Sequence, residues 1–197
     1  DMGAHMWYTF FLVPTGRGTQ LHSLSPTERE DVLHWLHDVS DRIAIKTTEA
    51  PQYRRVALQR KQPDYAYSGG DLYQQLTAQT HKLLGEVPVK PRRPRPPMAV
   101  NSGSGFAFID HIGDVYPSGF LPLHCGNVTD TSFADIYEHS PVFQNLRDPD
   151  HWEGKCSVCE FHTVCGGSRS TAYAMTGNYR ASDPTCSYVP PAWKKSS

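Results

Sequence analysis

Four of the five cysteines lie close together in the sequence, and their side chains are the ones best suited to do chemistry. They are Cys156, Cys159, Cys165 and Cys186, in the spacing C-x2-C-x5-C-x20-C. Thiolates are soft, strong ligands, so four of them near one another indicate zinc or an iron–sulfur cluster. Cys156 and Cys159 can bind one centre from a single tight turn. Cys165 stands near the start of a predicted helix, and Cys186 must return from a loop to close the site.

The type of metal centre is narrowed by how the cysteines are distributed. A disulfide framework is disfavoured because the chain is not short, has no signal peptide and has an odd number of cysteines. A zinc ribbon usually has two C-x2-C pairs, whereas this sequence has one pair and two single cysteines. The asymmetry favours one [4Fe-4S] cluster, with zinc as the alternative. Cys125 stands outside the pattern and is predicted to be an unligated thiol.

Other reactive side chains give weaker signals. Arg169 is interpreted as a surface arginine, although it could also compensate the charge of a cluster. His34 and His37 are interpreted as surface residues of a helix, and His162 is the only histidine placed between the predicted ligands. No H-E-x-x-H, G-x-S-x-G, phosphate-binding or dinucleotide-binding motif occurs. We therefore assign no catalytic residue.

The first half of the sequence predicts an α/β unit. The apolar run from Trp7 to Val13 is typical of a buried strand. "SPTE", from Ser25, has the residues of a capping box with proline at the first helical position, and a helix with an apolar stripe follows it. "IAIKTTEA" predicts a second strand, so strand, helix and strand indicate a parallel pair. Another helix is expected over 71–84, closed by Gly85.

The second half predicts smaller elements. "GFAFID", "HIGD" and "VYPSG" indicate a β-hairpin, and short helices are expected around 133–138 and after Ser140. Between the halves, residues 86–104 are rich in proline and arginine, which is typical of a semi-rigid linker. Residues 1–6 resemble a cloning scar. We therefore divide the chain into an α/β domain (7–85), the linker (86–104) and a cysteine-rich domain (105–192).

The composition argues against some classes of binding partner. The chain has 197 residues, with 19 basic and 20 acidic side chains and a net charge of −1. This balance gives no argument for nucleic acid or an anionic membrane as a partner. No stretch approaches the roughly 18 to 20 apolar residues of a membrane helix, so we expect a soluble, cytoplasmic protein.

The second half resembles a known family. The stretches "GDVYPSGF", "GNVTDTSFADIYEHSPVFQNLRD", "KCSVCEFHTVCGGSRSTAYAMTGN" and "SDPTCSYVP" are similar to the SPASM domain, the auxiliary-cluster domain at the C-terminus of radical S-adenosylmethionine (SAM) enzymes. "PSGFLP" and "CGGSR" resemble the subgroup that alters tetrapyrrole side chains, together with actinobacterial relatives. "FFLVPTGRG" and "KTTEAPQYRR" are similar to the closing strands of the family's partial (β/α)6 barrel. The resemblance therefore implies a barrel remnant followed by a small α+β SPASM-like domain.

Two departures from the family pattern limit what the resemblance implies. The C-x3-C-x2-C motif that binds the SAM-cleaving cluster does not occur in this sequence. Ser118 stands where the fuller SPASM pattern has a further cysteine, so the resemblance implies one auxiliary [4Fe-4S] cluster and not two. It places the ligands at the same four cysteines that the spacing selects.

The function implied by the resemblance is electron transfer by that cluster during radical modification of a tetrapyrrole or peptide. SAM would act only with the missing N-terminal part, so whether the chain is an enzyme stays open. The alternative is a catalytically silent scaffold or interaction module that holds zinc or a cluster. An open barrel edge further predicts self-association, because unpaired strands are templates for another strand.

Overall fold

A strand, a helix and a second strand form the first unit of the fold. The computed structural model describes residues 3–85 and 99–194, so most of the predicted linker, residues 86–98, lies outside the described residues. Strand β1 (Met6–Phe10) pairs in parallel with β2 (Ala44–Thr48), with Met6 opposite Ala44. Helix α1 (Pro26–Val39) connects them. The predicted parallel pair and the mixed α/β class are thus confirmed. Strand β1 is shorter than the apolar run that predicted it, and the prediction that it is buried is wrong, because Trp7, Tyr8 and Phe10 are exposed.

Helix α1 begins where its sequence predicts. Ser25 Oγ accepts a hydrogen bond from Glu28 N at 3.2 Å, and the Glu28 carboxylate accepts one from Ser25 N at 2.8 Å. The two bonds satisfy donors that the first helical turn leaves free. On the inner face, Leu33 and Leu36 are buried in a core cluster whose other buried members are Phe11, Ala50 and Val56.

Two further helices pack on α1. Helix α3 (Asp71–Leu84) has the predicted bounds, and Trp35 Nε1 in α1 donates to Thr80 Oγ1 in α3 at 2.9 Å. Helix α2 (Gln52–Gln59) was not predicted. Three of its four buried residues are Gln52, Arg55 and Gln59, so it lacks the apolar stripe by which buried helices are recognised.

The prediction that His34 and His37 are surface residues is wrong for His34. His34 is buried, and its ring stacks on Tyr67 with the two centroids 3.6 Å apart. The chain between α2 and α3 carries Tyr67 and covers this side of α1, so the helix is buried on more than its apolar stripe. His37 is partly exposed.

The second half has a small antiparallel sheet beside short helices. The predicted hairpin is confirmed, since β3 (Phe108–Ile109) pairs with β4 (Asp114–Tyr116). A third strand, β5 (Gly126–Asn127), pairs with β4. The remaining helices are α4 (Phe133–His139), α5 (Pro141–Arg147) and α6 (Arg169–Thr176). Across the described residues, no helix combines the length and apolar character needed to cross a membrane.

Candidate metal centre

One pocket collects the four cysteines that the sequence singles out. Cys156, Cys159, Cys165 and Cys186 all line it, although they come from separate turns and loops. The other lining residues are Arg55, Lys155, His162, Gly166, Gly167, Tyr188 and Pro190. Within the described residues, no three His, Cys, Asp or Glu side chains come together as a single metal ion requires. The four thiols thus share one pocket.

The first two cysteines are held by local turns. Cys156 ends a short 3-10 turn (Gly154–Cys156), and its backbone N–H donates to Ser182 Oγ at 3.2 Å. Gly154 has φ +63°, and a Cβ there would come within 2.5 Å of the same Ser182 Oγ. Cys159 accepts a hydrogen bond at its carbonyl oxygen from His162 N at 2.9 Å. His162 thus lines the pocket, and its Nδ1 also lies 2.6 Å from the Cys159 carbonyl oxygen.

Cys165 is followed by two glycines that the pocket requires. Gly166 and Gly167 both have φ +67°, a region that glycine adopts at little cost. A Cβ on Gly166 would lie 2.5 Å from the Trp152 ring, and one on Gly167 would lie 2.8 Å from Asp183 Cβ. The close approach lets Gly167 N–H donate to Cys165 Sγ at 3.5 Å. Backbone donors of this kind tune the potential of a metal–sulfur centre.

Asp183 fastens the loop that carries Cys186. Its buried carboxylate accepts from Ser168 N at 2.8 Å, from Thr185 N at 2.9 Å and from Gln52 Nε2 at 2.6 Å. Cys186 N donates to the Asp183 carbonyl oxygen at 3.2 Å. One carboxylate therefore joins α2, the start of α6 and the Cys186 loop.

Arg169 is the clearest correction to the sequence analysis. It is fully buried, at 0% exposure, so the surface interpretation is wrong. Its Nη2 donates to Cys156 Sγ at 3.7 Å, and its Nη1 donates to the Tyr179 and Ala181 carbonyl oxygens. The guanidinium stacks over the Trp152 ring at 5.1 Å. Within the described residues no carboxylate forms an ion pair with it, so a buried positive charge faces the thiols.

A second arginine reaches the pocket from the first half of the chain. Arg55, in α2, is buried and forms an ion pair with Glu30 at 2.6 Å. Burial alone would lower the pKa of Arg55, but the hydrogen bonds and charge of Glu30 raise it, so the side chain stays cationic. The sequence analysis missed Arg55, because no local motif links it to cysteines about 100 or more positions away.

The thiols are poor ligands until something removes their protons. Burial raises the pKa of Cys165 to about 12 and that of Cys186 to about 11, and it also raises the pKa of Cys159. A bound metal must deprotonate such thiols, and the buried arginines favour the resulting negative charge.

Cys125 does not line the pocket. It packs beside the core cluster of Val115, Ile136 and Phe143, and its Sγ donates to the Leu123 carbonyl oxygen at 3.2 Å. Burial raises the pKa of Cys125, which disfavours the thiolate form that reacts.

Comparison with known proteins places the chain in a family. The profile of SPASM, described as an iron-sulfur cluster-binding domain, matches residues 101–160. The AdoMet-dependent heme synthase of Methanosarcina barkeri is 36% identical over 192 residues, which are 96% of this chain and 50% of the relative. The corresponding enzyme of Nitratidesulfovibrio vulgaris is 38% identical over 193 residues, covering 96% and 48% of the two chains. A PqqA peptide cyclase of Gluconobacter oxydans is 36% identical over 109 residues, covering 50% and 28%.

The chain spans about half the length of the heme synthases that it matches. The matches nevertheless extend over nearly all of this chain, through both halves of the fold. The resemblance seen in the sequence is confirmed: this is a SPASM-domain protein that corresponds, over 96% of its length, to the C-terminal part of the radical SAM enzymes called AdoMet-dependent heme synthases.

Proposed function

We propose that the chain is the C-terminal segment of a radical SAM/SPASM enzyme and binds one auxiliary [4Fe-4S] cluster. The ligands would be Cys156, Cys159, Cys165 and Cys186. The observation that carries the proposal is that one pocket is lined by all four thiols. The SPASM match, described as iron-sulfur cluster-binding, supports the same reading.

The surroundings of the pocket fit a cluster better than a zinc ion. A zinc ion draws its ligands onto one point, whereas each thiolate of a cluster binds a different iron, so the ligands stand farther apart. The sequence has one C-x2-C pair and two single cysteines, a distribution that favours a cluster over the two paired ligand sets of a zinc ribbon. Arg169 is a buried cation beside Cys156, and in the described residues no carboxylate pairs with it. A cluster with four thiolate ligands is anionic and would balance this charge.

The chain's own residues would bind and tune the centre. When bound, a cluster supplies one-electron transfer to or from a second redox partner. Four cysteine ligands leave no iron open for a substrate, so electron transfer is the role that the ligand set supports. Gly167 N–H and Arg169 Nη2 donate to Cys165 and Cys156 sulfurs, which favours the more reduced, more negative state. The buried side chain of Arg55 also lines the pocket and places a second cation beside the thiols.

We further propose that the β1–α1–β2 unit is the end of the partial barrel, so that residues 7–85 and 105–192 are two domains joined by the linker. The parallel pairing of β1 with β2 supports this. On β1, Tyr8 and Phe10 lie two residues apart on one face and are both exposed, and we propose that this open strand associates with another strand or a second copy of the chain.

The proposed substrate is a tetrapyrrole, with a peptide as the alternative. The names of the heme synthases support the first, since they match 96% of this chain, and the peptide cyclase supports the second over about half of it. Radical generation from SAM would need a C-x3-C-x2-C motif supplied by a longer chain, because this sequence lacks it.

The test is elemental analysis after anaerobic purification. We expect about four irons and about four sulfides per chain, with a visible absorption band that bleaches on reduction. Cys186→Ser should lose most of the iron, whereas the control Cys125→Ser should keep it. One zinc and no sulfide, even after reconstitution with iron and sulfide, would replace this proposal with the silent scaffold.

A further inference from the structure

A second cavity lies between the two halves of the chain, apart from the cysteine thiols. Its volume is about 520 Å³, within the range of small-molecule sites. The C-terminal end of β2 and the residues after it form one side, and the hairpin region of the second half forms the other. Its lining includes three charged side chains and three phenylalanines: Lys46, Glu49, Arg54, Phe106, Phe108 and Phe120.

Three phenylalanine rings give this cavity an apolar wall. Phe106, Phe108 and Phe120 all line it, and they are 49%, 42% and 38% exposed. Exposed aromatic rings are stabilised when a ligand removes their faces from water, and a flat apolar ligand covers the largest area. The wall therefore favours a flat, conjugated or aromatic ligand.

The charges in the cavity favour an anion. Arg54 donates to the carbonyl oxygens of Val164, at 2.8 Å, and Val100, and in the described residues it has no carboxylate partner. Lys46, in the middle of β2, lines the cavity as a second cation. Against these two stands one carboxyl group, that of Glu49. An acidic ligand would balance the charge of the half-buried Arg54 guanidinium.

Glu49 is held in an unusual conformation. It is the only non-glycine residue in the described parts of the chain with a positive φ, at +57°. Its carboxyl oxygens accept from Ser168 Oγ at 2.6 Å and from Ser170 Oγ at 3.3 Å, at the start of α6. Backbone strain of this kind persists where surrounding contacts impose it and is concentrated at ligand sites. Two serines therefore fix an acidic side chain at the cavity.

We propose that this cavity binds a flat, conjugated ligand that bears a carboxylate. The phenylalanine wall covers the face of the ligand, Arg54 and Lys46 attract its carboxylate, and the Glu49 carboxyl in its neutral form donates a hydrogen bond to that carboxylate. The inference rests on the proposed function only in taking this ligand to be the substrate.

The ionisation of Glu49 gives the site a pH dependence with a defined sign. Burial raises the pKa of Glu49, opposed by the hydrogen bonds of Ser168 and Ser170. The charged groups around Glu49 are Arg29 from α1, Asp183 from the Cys186 loop, Arg54 from α2 and Lys46 from β2. As pH rises, Glu49 loses its proton and repels an anionic ligand, so binding must weaken.

The probe is 1-pyrenebutyrate, a fluorescent flat carboxylate, compared with the uncharged 1-pyrenebutanol on the cluster-loaded chain. We expect the carboxylate to bind at least about tenfold more tightly, because a charge-assisted hydrogen bond is stronger than one to the neutral alcohol. Its affinity should fall as pH rises through the raised pKa of Glu49 in the unaltered chain and stay flat over the same range in Glu49→Gln, which keeps a donor that does not ionise.

A matched pair of variants tests the wall. Phe108 in the cavity and Phe133 on α4 are both 42% exposed. Phe108→Ala should weaken pyrenebutyrate binding by about three- to tenfold, whereas Phe133→Ala should leave it unchanged. Equal affinity for the two pyrenes, equal effects of the two variants, or no binding at all would each overturn the inference. Because iron and sulfide content is measured separately, a failure here is distinguishable from a failure of the proposed function.

Discussion

Arg169 Nη2 lies 3.7 Å from Cys156 Sγ, and the guanidinium that makes this contact is wholly buried. A buried cation beside a thiolate stabilises added negative charge, so it makes reduction of a bound cluster easier.

Replacing the arginine should therefore shift the reduction potential of the cluster. For Arg169→Gln we expect a potential more negative by about 60 mV, which for one electron corresponds to a tenfold change in the equilibrium. Arg169→Lys keeps the charge and should shift the potential by less than half of that. A redox titration monitored by electron paramagnetic resonance measures both. An unchanged potential in Arg169→Gln, with iron content intact, would contradict this role.

Gly167 and Gly177 have similar backbone conformations, but only Gly167 is closely surrounded by other residues. Alanine substitutions at the two positions therefore test how tightly the pocket is packed. Their φ angles are +67° and +74°, yet a Cβ on Gly167 would meet Asp183 and Arg169, whereas one on Gly177 would meet nothing within 4 Å. Gly177→Ala should cost about 1 kcal/mol of unfolding free energy, from backbone strain alone. Gly167→Ala should cost roughly 3 kcal/mol and lower the iron content, because the pocket must open to admit the methyl group.

Denaturant unfolding and iron analysis of the two glycine variants provide the comparison. Equal losses in both would mean that the neighbours of Gly167 yield easily and that the pocket tolerates a side chain there.

Glu30 makes stability depend on pH in acid. Burial alone would raise the pKa of Glu30, but the hydrogen bonds and charges of His34 and Arg55 lower it to about 2. A lowered carboxyl pKa stabilises the fold above the unfolded value of 4.5, and this contribution is lost as pH falls through the folded value. Glu30→Gln should thus be destabilised by about 3 kcal/mol at pH 7, an upper figure from the shift in pKa, and by much less near pH 3.

Urea unfolding of the unaltered chain and of Glu30→Gln at both pH values measures this difference. Because both proteins would lose an acid-sensitive cluster alike, the difference between them reports on Glu30. A difference that does not shrink in acid would show that the carboxylate and Arg55 are not paired in solution.

The exposed face of β1 predicts association in solution. Tyr8 is 60% exposed, and we expect the chain to self-associate at high concentration. Tyr8→Lys should shift the chain toward monomer, because a lysine on an edge strand opposes pairing, whereas Phe133→Lys on α4 should not. Sedimentation velocity over a range of concentrations distinguishes these outcomes. A monomeric unaltered chain would rule out association through this strand.

Local signals in the sequence predict local structure well here. The capping box at Ser25 predicts the start of α1, and the glycine at position 85 predicts the end of α3, because both depend only on neighbouring residues. The burial of polar side chains could not be predicted from neighbouring residues. Arg169 and His34 are buried by segments distant in sequence, and α2 is recognised only from the contacts of its polar face.

In the candidate site, too, the features with a local sequence pattern could be predicted and those formed by distant segments could not. The four cysteines could be selected from their spacing, since ligands of one centre tend to be crowded in sequence. The cavity lined by Glu49, Arg54 and the three phenylalanines could not, because its two sides come from separate halves of the chain and carry no motif.

The bond from Gln52 Nε2 to the Asp183 carboxylate spans 131 positions of the chain. Asp183 also holds the start of α6 and precedes Cys186 by three residues, so the pocket depends on contacts between the earliest and latest parts of the described chain. During synthesis, which runs from the N-terminus, Arg55 emerges long before the last thiol. Under the proposed function, assembly of the cluster would therefore follow translation of the whole segment, since a ribosome-bound chain that lacks Asp183 and Cys186 has an incomplete pocket.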